Sequence, residues 1–575
     1  MTSTAATARG FGGAVRERLV DIGVVGWAHV PAREDAVGAL GLGATVRPGR
    51  TAVIVAGPDV GNGPVLPPAI RVAMKTLSGV DADVAVLIVP RRGATAGYLA
   101  LALRPLSGRL RTSDEAFVTF RAEEPGTVAR FADGDELLAV LERAPQPYDR
   151  PLETPVDGPR LLLWAAPDAG REGRVRTALR RYLATRTVSP LGQAACHLAH
   201  RPAGGAVRGA VVAESTQDAL RLLDRFQPAP LTGPRPVVLM VPGQGAQYPR
   251  MAAGLYDREP VFTATMDTVF TLFGGRGRRL RADWLSDDEG VPMDDGSRAQ
   301  PLLFAVGYAL GKMVCGWGVR PAALLGHSVG ELVAATLAGV FRLTDAVRLM
   351  DARVNALVGM PSGGMLAVAA SAAEIRPLLP GGDRTGVAVA ALNAPRQTLL
   401  AGPDAALDAV EQKLRGQGLT CRRAKAKQGF HSPMMLPVAR ATEPVVAAST
   451  PRAPATRLFS AYTGGLMSDE TARDVVFWSR QLADPVLFWP ALNALLGSGD
   501  YLLVEAGPGQ SLTHIARQHP AVRTRSSDVV SLLPARPGGT AGERHAVLSA
   551  AGRLWLDGHQ LRREAFLDGA VSAPR

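Results

Sequence analysis

Residues 324–335 read LLGHSVGELVAA. The apolar pair Leu324 and Leu325 leads into the pentapeptide Gly326-His327-Ser328-Val329-Gly330, and a helix-like segment follows. In a strand-to-helix elbow two such glycines let a tight, strained turn pass close to its neighbours. The serine hydroxyl then stands at the start of a helix whose dipole and free N–H groups favour a developing oxyanion. A chain with 63 glycines also matches this pattern by chance. At this point Ser328 is either a nucleophile or a serine in a turn.

Working outward, VVLMVPGQGAQ (237–247), a long helical stretch through PLLFAVGYALGKMVCGWG (301–318) and the elbow itself alternate strands with helices. That rhythm predicts an α/β domain with a mainly parallel sheet covered on both faces. Between Met365 and Lys427 it changes. MLAVAA, SAAEIRPLL, VAVAALNA, QTLLAGP, AALDAVEQKLRGQG and CRRAKAK spell β-α-β-β-α-β, a ferredoxin-like insert over about 365–427. Upstream, residues 158–233 predict a small α+β unit: strand RLLLWAA, helices GREGRVRTALRRYLAT and PLGQAACHLAH, strand GAVVAES, helix TQDALRLLDRF. Proline-rich breaks, APQPYDRPLETPVDGP and QPAPLTGPRP, bound this unit. Residues 1–157 predict a further α/β unit with buried strands TAVIVAG (51–57) and VAVLIVP (84–90). The main domain runs over 234–540, and 541–575 form a C-terminal helix and tail.

Composition narrows the function classes. The chain has 575 residues, 47% hydrophobic and 20% charged, which suits a multidomain globular protein rather than a disordered one. No apolar run is long and uncharged enough to span a bilayer and the first 20 residues lack a signal-peptide core, so the expected compartment is the cytoplasm. Three widely spaced cysteines, Cys196, Cys315 and Cys421, give neither a disulfide framework nor a zinc pattern, and no metal or redox cofactor is expected. The net charge of +12 is dispersed arginine with little aromatic interleaving, which argues against a nucleic-acid surface. The same balance either attracts an acidic partner or reflects codon composition alone.

A serine nucleophile needs a base. Among nine histidines, His431 stands out because QGFHSPMM falls where the insert returns the chain to the main domain. His197, His200, His514, His519, His545 and His559 read as core or surface residues, His29 lies in the N-terminal unit, and His327, beside the serine, is expected to point elsewhere.

PGQGAQYPRM, GHSVGEL, DARVNALVGMPSGGM, ALNAPRQ, QGFHSPMM, WSRQLADPVLFW and VEAGPGQSL follow one another in this order over about 234–535. In this the chain resembles the acyltransferase family, which includes malonyl-CoA:acyl-carrier-protein transacylases and the acyltransferase domains of modular polyketide synthases. Residues 158–233 are similar, more loosely, to the linker domain that precedes such acyltransferases. Residues 1–157 faintly resemble a degraded ketosynthase without its catalytic Cys, His and His. The resemblance implies an acyltransferase fold whose large subdomain is α/β-hydrolase-like, with the ferredoxin-like subdomain inserted. It implies roles in turn. Ser328 attacks a thioester carbonyl and His431 moves its proton. Gln481 orients the imidazole through its main-chain carbonyl, and the backbone N–H groups of Gln244 and Val329 form the oxyanion hole. Arg353, eight residues before Pro361, pairs with a substrate carboxylate; Arg348 is its nearest competitor. A planar guanidinium fork suits that task.

The same resemblance implies substrate and partners. Phe430 directly before the base matches malonyl-selective members, as do Val329 and Ala299-Gln300-Pro301, whereas Gln428-Gly429 depart from the usual His-Ala and point to an altered pocket. The expected reaction moves a malonyl group from coenzyme A to the phosphopantetheine thiol of an acyl-carrier protein in polyketide biosynthesis, through an acyl-serine. No segment resembles a carrier-serine motif, so the carrier is expected in trans, with polyketide synthase subunits as further partners. An editing acyl hydrolase using the same dyad and a non-catalytic synthase scaffold are the rival readings; Arg353 speaks against the first and the intact Ser328 and His431 against the second.

Overall fold

The computed structural model describes residues 158–567 apart from 186–189, 201–203, 232, 287–290 and 380–385, and the backbone of eight strands between Ile22 and Glu142. The chain divides into two units, Met1–Pro155 and Val156–Arg575. In the first, the strands are β1 (Ile22–Val30), β2 (Thr51–Val55), β3 (Val84–Pro90), β4 (Tyr98–Pro105), β5 (Thr119–Phe120), β6 (Thr127–Arg130), β7 (Glu136–Ala139) and β8 (Leu141–Glu142). Six of them form a sheet in the order β2-β3-β4-β1-β5-β8, parallel only between β2 and β3, and β6 pairs with β7. The segments that would decide between an α/β and a ketosynthase-like unit lie outside the described residues.

The second unit opens with an antiparallel sheet, β11-β10-β9, made of β9 (Arg160–Ala166), β10 (Val207–Ala213) and β11 (Ala229–Pro230). Helices α1 (Ala169–Thr185), α2 (Pro190–Ala199) and α3 (Thr216–Arg225) bury Leu179, Leu198 and Leu223 against Leu162 and Trp164 on one face.

The central sheet comprises β12 (Val237–Val241), β13 (Ala323–Gly326), β18 (Arg457–Ser460), β19 (Gly465–Leu466), β20 (Leu502–Glu505) and β21 (Asp528–Ser531). Its order is β19-β18-β13-β12-β20-β21, parallel throughout except for β19. VVLMV at 237–241 is buried at every position, as a strand covered on both faces demands. Alternation then separates two cores. Val237, Leu239 and Val241 face one with Leu324, Leu502 and Val504, while Val238 and Met240 face the other with Leu325, Phe459 and Leu503. The first core is closed by α4 (Pro260–Leu272), α5 (Gly296–Gly316), α6 (Val329–Leu337) and α7 (Leu343–Leu357), through side chains such as Phe262, Phe304, Leu332 and Met350. The strand order reverses at β12, and the open carboxyl ends of β12 and β13 are where such sheets bind ligands.

Between α7 and β18 lies a separate antiparallel sheet ordered β15-β16-β14-β17, from β14 (Gly364–Val368), β15 (Ala388–Ala394), β16 (Gln397–Gly402) and β17 (Cys421–Arg423). Its helices are α8 (Ala372–Ile375), started by a reciprocal Ser371–Glu374 capping box, and α9 (Asp404–Gly416). Leu392 and Ala390 exchange backbone hydrogen bonds with Val486, which anchors this insert beside the carboxyl end of the main sheet.

The last helix, α10 (Gly539–Leu556), ties the linker-like sheet to the main domain. Its Glu543 accepts the Ala252 and Gly254 N–H groups at 2.7 and 2.8 Å, and Trp555 donates to the Trp164 carbonyl at 3.1 Å. Arg208 lies over the Trp555 ring at 4.2 Å and donates to its carbonyl at 3.0 Å. Among the described residues no helix is long and apolar enough to cross a membrane.

Candidate active site

Ser328 lies between β13 and α6 with φ 54° and ψ −120°, the strained geometry of an elbow that holds a side chain out of its turn. The flanking glycines are steric requirements. A Cβ on Gly326 would sit 2.2 Å from Glu331 Cα, and one on Gly330 2.1 Å from the Val241 carbonyl oxygen. Gly243 brings the turn after β12 equally close, since its Cβ would meet the His327 carbonyl at 2.6 Å and Ser328 Cβ at 3.0 Å. Gln244 therefore follows a glycine pressed against Ser328, and Val329 is the first residue of α6, where an N–H has no intrahelical acceptor. The Gln244 side chain fixes its own turn: it donates to the Asp294 carbonyl at 3.3 Å and accepts from Gln300 Nε2 at 3.1 Å.

His431 Nε2 is 2.8 Å from Ser328 Oγ. Its Nδ1 is 3.0 Å from two carbonyl oxygens, those of Gln481 and Asp484. Carbonyls only accept, so Nδ1 carries the ring proton, and Nε2 is left as the acceptor of the serine O–H. Asp484 is a second orienting group, invisible in the sequence because only backbone acts. Burial, then the nearby His327 ring and Arg353, pull the His431 pKa down to about 4. The base is thus neutral well below the ordinary histidine range near 6.5. Accepting the Ser328 proton requires that neutral form, which is present above the folded pKa and lost as pH falls through it. The expected acylation profile is flat from about pH 7 to about 5 and bends near 4; stopped-flow loading at each pH checks this, and a bend near 6.5 would contradict it. His327 turns away as expected, its Nε2 lying 2.8 Å from Asn393 Oδ1 on β15.

Arg353 on α7 is 1% exposed. One terminal nitrogen donates to the Trp478 carbonyl at 3.0 Å and to Gln481 Oε1 at 3.1 Å. Among the described residues no carboxylate pairs with it, and its Nε is buried without an acceptor, as is Gln481 Nε2. Desolvation lowers its pKa to about 10, which leaves it charged. Arg348, by contrast, is exposed and faces Asp345 at 3.4 Å. A buried, unpaired guanidinium is costly unless an anion completes it.

Phe430 is 3% exposed among Leu357, Met365 and Leu482, and a Cβ on Gly296 would touch its ring at 3.4 Å. Gln428 Oε1 points into the same region, buried and unpaired.

The structure adds Tyr462, in the turn after β18. Its ring centroid is 6.1 Å from that of His431, and its hydroxyl reaches the Ser328 side chain. The one trace in the sequence is an aromatic residue in a glycine-ended turn, SAYTGG, after a buried strand. Glu331, one turn into α6, holds that turn: it accepts the Ser460 hydroxyl at 2.5 Å and the Ala461 N–H at 2.7 Å, and burial raises its pKa to about 8.

An elbow serine, a neutral histidine held by carbonyls and a buried arginine thus lie together, the histidine and the arginine both bonded to Gln481. Residues 238–554 match the acyl transferase domain family, and the chain belongs to it. The domain is of the polyketide-synthase type. The chain is 35% identical over 446 residues to a phenolphthiocerol/phthiocerol polyketide synthase subunit of Mycobacterium tuberculosis (strain CDC 1551 / Oshkosh), covering 74% of this chain and 29% of that protein. It is 34% identical over 346 residues to polyketide synthase GfsA of Streptomyces halstedii, covering 58% of this chain and 4% of that one. The chain therefore spans less than a third of the length of these relatives. Among solved structures, the acyl transferase domain of SpnD in complex with 2-(pent-4-yn-1-yl)malonyl is similar with a TM-score of 0.62 at 30% identity, covering 71% of this chain and 98% of that domain. The acyltransferase domain from module 8 of the salinomycin polyketide synthase is similar with a TM-score of 0.61 at 25% identity and the same coverage.

Proposed function

We propose that this chain transfers a malonyl group from coenzyme A to the phosphopantetheine thiol of an acyl-carrier protein by a ping-pong route through acyl-Ser328. The observation that carries the reading is the 2.8 Å Ser328–His431 contact beside a buried arginine that no carboxylate among the described residues pairs with. Ser328 Oγ attacks the thioester carbonyl carbon while its proton passes to His431 Nε2. The carbonyl π pair becomes an oxyanion, received by the Gln244 and Val329 N–H groups. Collapse expels the coenzyme A thiolate, which takes the proton from His431 and leaves malonyl on Ser328. In the second half the carrier thiol gives its proton to His431 and attacks the ester, and Oγ leaves and recovers that proton. No electrons are exchanged with a cofactor; coenzyme A and phosphopantetheine enter only as thioester carriers.

Arg353 supplies the dicarboxylic preference, because a charge desolvated by the fold regains its partner only when the acyl group brings a carboxylate. The substituted malonyl group in the SpnD complex supports that substrate class. Gln481 serves twice, with its carbonyl on His431 and its side chain on Arg353. The architecture that holds these groups is an α/β-hydrolase-like sheet with a ferredoxin-like insert, preceded by a linker domain. A carrier supplied in trans, polyketide synthase subunits as partners and a cytoplasmic setting complete the reading. Transfer of the label from malonyl-loaded enzyme to a carrier, rather than to water, is the test.

Phe430 narrows the substrate. Its ring is buried, so its bulk counts against a C2 branch, and one methyl in such a pocket is worth roughly 10- to 200-fold. Phe430→Ser is expected to raise methylmalonyl loading relative to malonyl by about 10-fold. Competition between the two thioesters measures this, and an unchanged ratio would place selectivity elsewhere.

A further inference from the structure

Tyr462 takes no part in the proton and acyl movements of the transfer itself, yet the fold fixes it against the reacting groups. Ser460 Oγ, which donates to the buried Glu331 carboxylate, also accepts the Tyr462 N–H at 3.0 Å and the Thr463 N–H at 3.2 Å. The Gly464 N–H closes the turn on the Ser460 carbonyl at 2.9 Å, and Gly464 takes φ +75°, which favours glycine. The turn bearing Tyr462 is therefore clamped to the helix that begins at the nucleophile. Its ring is held as firmly. Phe477 meets it edge-to-face, centroids 6.2 Å apart and planes at 88°, and Trp478 backs Phe477 in the same way at 5.0 Å and 84°.

The end of this assembly nearest the reacting groups is the phenol. It stands beside the His431 ring with its hydroxyl at Ser328, and the Arg353 guanidinium is its charged neighbour. Burial pushes its pKa above the ordinary range, so the group is a neutral donor. An acyl group on Ser328 that sends its far carboxylate to Arg353 joins two groups that both neighbour this ring. Any branch at C2 then projects from a three-carbon chain whose one flank is already filled.

We propose that Tyr462 is a specificity-determining residue whose ring closes the space beside Ser328 that a C2 substituent of the bound acyl group would need. This rests on the reading of Ser328 as the acyl acceptor and of Arg353 as the carboxylate partner. The ring, not the hydroxyl, sets the limit. The test is competitive loading of the full chain with malonyl-CoA and methylmalonyl-CoA, read by intact-protein mass spectrometry for the parent, Tyr462→Phe, Tyr462→Val and Tyr462→Leu. Removing the ring is expected to raise the methylmalonyl-to-malonyl ratio about 10-fold or more, while Tyr462→Phe keeps the parental ratio within about twofold. Leucine retains contact with Phe477 and replaces the valine variant if that one melts early. A ratio unchanged by both aliphatic variants overturns the proposal, as does an equal rise in Tyr462→Phe. A parent that takes no acyl group on Ser328 overturns the underlying reading instead, so the two failures are distinguishable.

Discussion

Ser328→Ala is expected to abolish the acyl-enzyme and to lower carrier loading by about 10⁴-fold or more. The size follows from position. Ser328 Oγ lies against the acceptor nitrogen of His431, whose other nitrogen is committed to the Gln481 and Asp484 carbonyls. Deleting Oγ leaves the oxyanion donors and the arginine in place but nothing for the acyl group to bond to. Alanine keeps the Cβ that the elbow already accommodates at φ 54°, so the thermal midpoint should stay near that of the parent. Intact mass after mixing with malonyl-CoA reads the outcome. A malonyl adduct surviving in this variant would move the nucleophile elsewhere.

Arg353→Ala is expected to lower malonyl loading roughly 30- to 5,000-fold, the range for truncating one partner of a buried charge pair, about 2–5 kcal/mol. Acetyl loading should change by no more than a few-fold. Acetyl has no carboxylate to lose, and removing the guanidinium also relieves its downward pull on the His431 base. Arg353→Lys should resemble the alanine variant more than the parent, because an ammonium cannot serve a carboxylate while holding both the Trp478 carbonyl and Gln481 Oε1 in the planar arrangement of the guanidinium. Steady-state kcat/KM for the two thioesters checks this. Equal losses on both would remove the carboxylate role and leave Arg353 as a core residue.

Much of this site was legible because its parts are local. The elbow needs two glycines within four residues of each other, and the strand before it is an unbroken apolar run, so LLGHSVGEL declares both the sheet and the serine. The change in period between Met365 and Lys427 marks the stretch where a separate four-stranded antiparallel sheet with its helices runs from Gly364 to Arg423. What stayed hidden depends on contacts between distant segments. Tyr462 reaches Ser328 only because Glu331, 129 positions from Ser460, clamps the turn between them. Gln300 secures the Gln244 turn across 56 positions. Asp484 acts through its carbonyl, which no side-chain reading can find. The last helix buries residues on most of its circumference, Glu543, Val547, Leu548, Ala551 and Trp555 among them, since it packs against both the linker-like sheet and the main domain. It therefore lacks the polar face that separates a surface helix from a buried one.

The central claim is that one serine accepts a dicarboxylic acyl group and passes it to a thiol. Intact-protein mass spectrometry after mixing the chain with malonyl-, methylmalonyl- and acetyl-CoA in competition, followed by addition of a phosphopantetheinylated acyl-carrier protein, tests it most directly. The expected result is a malonyl adduct on Ser328 that disappears as the carrier gains the same mass. An adduct that decays only to free acid with every carrier, or an acetyl adduct that outcompetes malonyl, would contradict the account.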